Sequence, residues 1–138
     1  MKHVTLRYEF STDDDFGWLD VEVSNSIFSG HGGFWVQWQD VQEFGESLRA
    51  YPLPADAPPR GAWGYEPWEG DALIVRIEVT PANATGDLKV EVEVADQFEQ
   101  SNRVRTSFLT NYPQLEAFSD AIARMMRRET TEAVLVGS

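Results

Sequence analysis

The chain has 138 residues, 42% of them apolar, no cysteine and a formal net charge of −12. That length suits one domain that closes its own core, and the missing cysteines exclude disulfides, thiolate metal sites and cysteine nucleophiles. The acidic field repels phosphate, so no nucleic-acid partner is expected; a basic protein would be attracted, although acidity also serves solubility alone.

The N-terminal segment Met1–Phe10 alternates apolar and polar residues rather than forming the apolar run of a signal peptide. No stretch approaches the ~18 apolar residues of a membrane span. The expectation is a cytoplasmic protein with no membrane contact.

Val4, Leu6, Tyr8 and Phe10 alternate with Thr5, Arg7 and Glu9. That period marks a strand with one buried face. Leu19, Val21 and Val23 repeat the pattern, and the polar segment Ser11–Gly17 reads as the turn between the two strands. The turn carries Asp13, Asp14 and Asp15, whose spacing lacks the D-x-D-x-D-G pattern of a calcium loop, so a solvated turn is expected. Ser29–Gly33 contains His31 among glycines and reads as a flexible or bulged entry to a third strand, which holds Phe34, Val36 and Trp38. No nucleophile elbow or nucleotide fingerprint surrounds His31. A helix follows, with Asp40 as its cap, Glu43 completing a capping box, and Val41, Phe44 and Leu48 as its apolar stripe.

Tyr51–Gly70 holds five of the seven prolines and reads as a stiff linker ending in the aromatic stretch Trp63–Trp68. Leu73–Val79 and Leu88–Val94 then form a second hairpin. Val104, Thr106 and Phe108 mark another strand, and Leu115, Phe118, Ile122 and Met125 form a second helical stripe behind a cap at Asn111 or Thr110 and Pro113 in the first turn. Asn83–Ala84–Thr85 matches a glycosylation sequon by chance. Ala133–Val136 either adds an edge strand or stays loose.

Val4–Val23 slides onto Leu73–Val92 without a gap, matching Arg7 with Arg76, Glu22 with Glu91 and Gly17 with Gly86. Both glycines are expected to take positive φ at the turn exit. Arg7 is expected opposite Glu22, and Arg76 opposite Glu91, as structural charge pairs. The fold class that follows is α+β: a mainly antiparallel sheet with two helices, built as an internally duplicated β-β-β-α unit. One domain spans residues 1–138, with a first repeat at about 4–50, the linker at 51–70, a second repeat at about 72–128 and a tail at 129–138.

Function, if local, falls where the two halves differ. Trp63, Tyr65 and Trp68, with Glu66, Glu69 and Asp71 beside them, are either exposed anchors for a protein or sugar or a loop folded back on the core. Trp35 lies on the strand face opposite Phe34 and Val36. It faces solvent or sits beneath a helix or the proline-rich loop. Nothing assembles a catalytic set or calls for a metal or cofactor, so a non-enzymatic binding domain is expected.

The order of Phe28–Ser29–Gly30, an aromatic strand, Asp40–Val41 with Phe44 and Leu48, a later hairpin and a closing Leu115–Phe118 helix resembles the WapI-type immunity proteins of bacterial polymorphic toxin systems. The resemblance implies a protein that binds and blocks a cognate toxin, which the acidity would suit if the toxin is basic. The alternatives are a small-ligand or carbohydrate-binding module using the exposed Trp and Tyr residues, or a domain with no ligand.

Overall fold

The computed structural model describes residues 1–66 and 70–138. Trp68 and Glu69, two of the expected anchors, lie outside the described residues. The described chain runs β1 (His3–Phe10), β2 (Phe16–Asn25), β3 (Phe28–Gln37), α1 (Trp38–Ser47), β4 (Arg60–Gly64), a 3-10 turn (Gly70–Ala72), β5 (Leu73–Pro81), β6 (Asp87–Ala95), β7 (Arg103–Asn111), α2 (Tyr112–Met126) and β8 (Glu132–Val136). The α+β class, dominated by antiparallel strands and carrying two helices, is as the periodicity predicts.

The strands form two sheets rather than one, ordered β3-β2-β1-β8 and β4-β5-β6-β7. Each half of the chain supplies three consecutive strands to its own sheet. The fourth strand, after the helix, crosses to the edge of the other sheet. The tail therefore pairs with β1, Leu135 facing Val4. The proline-rich linker contains a strand as well: Arg60–Gly64 pairs with β5, Ala62 facing Arg76.

The inward residues of both sheets meet in one core. Leu6, Leu19 and Val21 of the first sheet and Ile77, Val90 and Val92 of the second are essentially inaccessible. Each such side chain contributes about 1.5–3 kcal/mol by leaving water. β3 lies across β5, β6 and β7. The helices pack on each other and on the edge strands β3, β4, β7 and β8. Gly45 makes their contact close, since a Cβ there would stand 2.6 Å from Ile122 Cγ2. Ser119 Oγ donates to the Gly45 carbonyl at 2.8 Å.

Several expectations need correction. The His31 segment is neither flexible nor bulged, because β3 pairs with β2 without interruption from Phe28 to Gln37. Its glycines answer to packing instead. A Cβ on Gly30 would lie 2.8 Å from Val104 Cβ, and one on Gly32 would lie 2.8 Å from the Ala95 carbonyl oxygen. Bare backbone is what lets β3 rest directly on the second sheet.

The charge register differs too. Arg7 faces Asp20, and Arg76 faces Glu93. Under the ungapped alignment Asp20 would map onto Lys89, so that alignment cannot superpose both strands of the two hairpins. The arginines still reach the expected acids diagonally. Arg76 Nη2 donates to Glu91, and Arg7 Nη1 stands 4.0 Å from Glu22. Gly86 has φ +99°, as a turn exit requires, but Gly17 is not among the positive-φ glycines. Gly17 is small because the Tyr8 ring lies over it, 2.5 Å from where a Cβ would be.

Trp38 opens α1 rather than ending β3, and the N-cap position is Gln37, with no side-chain cap. The Asp40 capping box does not form. Asn111 does cap α2, its Oδ1 accepting from the Gln114 amide at 3.0 Å, with Pro113 in the first turn. Among the described residues no helix is long and apolar enough to cross a membrane.

Candidate binding surface on the first sheet

Alternation fixes what β2 and β3 show to solvent. With Leu19, Val21 and Val23 inward, Phe16, Trp18, Asp20 and Glu22 point out. On β3 the outward set is Ser29, His31, Gly33, Trp35 and Gln37. The register places Trp35 directly opposite Trp18. Their rings meet edge to face, centroids 5.3 Å apart at 77°, a favoured aromatic geometry. Trp18 lies over Gly33, where a Cβ would come within 2.7 Å of the indole. Trp35 remains 55% exposed and Phe16 41%. Three aromatic side chains thus share a sheet face that neither helix covers.

A row of charges crosses the four strands beside them. His31 Nε2 lies 2.7 Å from Asp20 Oδ1. Arg7 Nη1 is 3.6 Å from the other Asp20 oxygen, and Arg7 Nε donates to Glu132 at 3.2 Å. Gly33, Asp20, His31 and the Ala95–Phe98 turn border a shallow recess of about 300 Å³, at whose rim Phe98 is 85% exposed.

A histidine held by a carboxylate suggests a base, but Asp20 is the one hydrogen-bond partner of the His31 ring among the described residues. Among the described residues no hydroxyl is hydrogen-bonded to the His31 ring, and the chain has no thiol. The arrangement can hold a ligand by stacking, charge and hydrogen bonding. Among the described residues no group of three His, Asp or Glu side chains could hold a metal ion. The acidic turn is a solvated turn: Asp14 Oδ1 accepts from the Phe16 amide at 2.9 Å, and Asp15 Oδ2 accepts from Gln39 at 3.1 Å.

The other expected anchors are dispersed. Trp63 is in β4 with its ring 6.3 Å from that of Phe44, and it is only 8% exposed. Tyr65 packs edge to face on Phe34 at 5.1 Å. Its hydroxyl reaches the Gln97 carbonyl at 3.4 Å. Phe34 and Trp35 point to opposite faces of β3, so Tyr65 and Trp35 belong to different surfaces. Glu66 and Asp71 are exposed, and the Asp71 carbonyl accepts from Arg103 at 2.9 Å. Trp18 is the functional candidate that the sequence reading passed over. Its outward parity between Gly17 and Leu19 was the available signal.

Two groups beneath the surfaces are electrostatically perturbed. Burial, reinforced by the carboxylates of Asp14, Asp40 and Asp15, pushes the Tyr8 phenol up to about 12. Its hydroxyl donates to the Val36 carbonyl at 2.7 Å. On the second sheet the hydrogen bond from Arg76 holds the Glu91 carboxyl below its ordinary value.

This architecture defines a two-sheet α+β domain with an uncovered aromatic and acidic face. No protein-family model matches the sequence, and no curated protein matches it. Among solved structures the chain is similar to WHY3 and WHY1 from Arabidopsis thaliana. WHY3 is 12% identical, with 91% of this chain and 82% of that one covered, at a TM-score of 0.48. WHY1 is 15% identical, with 91% and 78% covered, at 0.47. These values mark a likeness of outline and carry no function to this chain. One expectation is nevertheless withdrawn: the exclusion of a nucleic-acid partner does not stand. Its premise was net charge, which averages over a whole surface and does not describe any one face of it.

Proposed function

We propose that the chain is a non-enzymatic domain that captures a protein partner on the outer face of the first sheet. The observation that supports this reading most directly is the Trp18–Trp35 pair, with one indole largely exposed on a rigid two-strand platform. Exposed tryptophans on ordered scaffolds are the side chains that dominate interface energies. Beside the platform the acids Asp20, Glu22 and Glu132 outnumber Arg7, the arginine they share, and favour a partner that is positive where it docks. The specific form of the proposal is an immunity protein that neutralises a cognate bacterial toxin. The sequence resemblance supports that form.

The test is whether a toxic domain is encoded beside its gene and whether the purified chain binds that domain, by biolayer interferometry and by protection in a toxicity assay. Trp35→Ala should weaken binding about 30-fold or more, the size of a central tryptophan contact. Its thermal stability should stay close to that of the parent. No binding to that domain removes the immunity form. Undiminished binding by Trp35→Ala removes the proposed surface.

A further inference from the structure

A second concavity lies between α1 and the segment that precedes β4. Its volume is about 510 Å³, within the range of small-molecule sites. One wall is a single stripe of α1, with Asp40, Glu43, Phe44 and Ser47 at helical spacing. The facing wall is the chain from Pro54 to Pro59, and the floor includes the rim of Trp63.

Three features distinguish this groove from an accidental gap. The proline wall is pinned at both ends. Leu53 is buried and its amide donates to the Tyr112 hydroxyl at 3.0 Å, while the Pro59 carbonyl accepts from the Val79 amide at 3.1 Å. The wall is thus formed before any ligand arrives. The aromatic floor is held by Gly61, where a Cβ would stand 2.5 Å from the Trp63 ring and 3.2 Å from Phe44. The charge at the mouth is lopsided: Asp40 and Glu43 line it, while the one cation there, Arg60, is engaged 3.5 Å from Glu78.

An apolar, aromatic floor under two carboxylates matches a ligand with an apolar body and a cationic end. The carboxylates reward a desolvated ammonium or guanidinium, and the apolar rim of Trp63 takes the apolar body. We propose that this groove binds a small organic cation, a primary amine or guanidinium on an apolar body. This reading is independent of the aromatic face of the first sheet.

Isothermal titration of the full chain with benzylamine and agmatine tests it, with benzoate as the anionic control of similar size. The amines should bind, benzoate should not, and the Trp63 indole N–H resonance should shift with the amines. The isosteric pair Asp40→Asn/Glu43→Gln removes both charges without creating a void and caps no helix, so it should fold normally. It should weaken the amines about 10-fold or more. Trp35→Ala should leave amine binding unchanged, which separates failure here from failure of the partner surface. Amine binding that is absent at millimolar concentration, or that survives the double substitution, overturns the proposal.

Discussion

Replacing Gly32 by alanine separates two lines of reasoning by sign. A strand glycine is ordinarily a liability, and alanine would gain about 0.5–1 kcal/mol from reduced backbone entropy. In this fold the new methyl would stand 2.8 Å from the Ala95 carbonyl oxygen and 3.5 Å from the Ala95 nitrogen. Even favourable C–H···O contacts keep about 3.3–3.6 Å between carbon and oxygen. The obstacle is backbone, so no side chain can rotate away, and β3 must lift from β6 by roughly half an ångström. Overpacking of this kind costs about 1–3 kcal/mol. The net expectation for Gly32→Ala is a loss of about 1–2 kcal/mol. Urea denaturation followed by far-ultraviolet circular dichroism measures it, with the m-value expected to be unchanged. Gly70→Ala is the control for backbone strain alone: φ is +57° and no described residue lies within 4 Å of the added Cβ. It should cost about 1–2 kcal/mol. A Gly32→Ala variant as stable as the parent, or more stable, would refute the claim that β3 is glycine-rich because it rests on the second sheet.

Other expectations follow from single contacts. One of the four tyrosines should resist ionisation in an absorbance titration until about pH 12, and Tyr8→Phe should abolish that late phase. Because the folded value is raised, the stability contributed by Tyr8 is complete below pH ~10 and lost as pH climbs from there towards about 12. Glu91 behaves in the opposite sense. Its folded value is depressed, so its contribution is present above pH ~4.5 and falls away as acid protonates the folded carboxylate. Glu91→Gln should flatten that acid limb of stability against pH and cost about 1–2 kcal/mol at neutral pH, since Arg76 keeps Glu93 as a partial partner. Asn111→Ala should cost about 1 kcal/mol by removing the cap of α2, whereas Asp40→Ala should lose no capping energy from α1. Thermal melts of the two variants decide this directly.

Strand and helix identity were legible because they are local. Alternation marked β1, β2, β5 and β6, and the spacing of Leu115, Phe118, Ile122 and Met125 marked the buried face of α2. Asn111 and Pro113 announced the start of that helix through chemistry confined to one turn. The outward parity of Trp35 was also readable, because alternation alone assigns a side to each residue of a strand. Pairing was not. Arg7 with Glu22 and Arg76 with Glu91 are sensible charge partners, but the hairpin register depends on loop closure and on which residues the core needs. It placed Asp20 and Glu93 opposite instead.

Composition, charge and the run of apolar residues thus determined an α+β domain with two helical stripes and a tryptophan on the third-strand face opposite Phe34 and Val36. The division into two sheets, the exchange of β4 and β8 between them, the burial of Trp63 and the assembly of Trp18, Trp35, Asp20 and His31 on one face were decided only in three dimensions. The reason is the range of the forces concerned. A strand's period and a helix's cap are set by neighbours a few residues away. Which edge a strand joins, and which glycine must stay bare beneath it, is set by chain segments that meet only when the core closes.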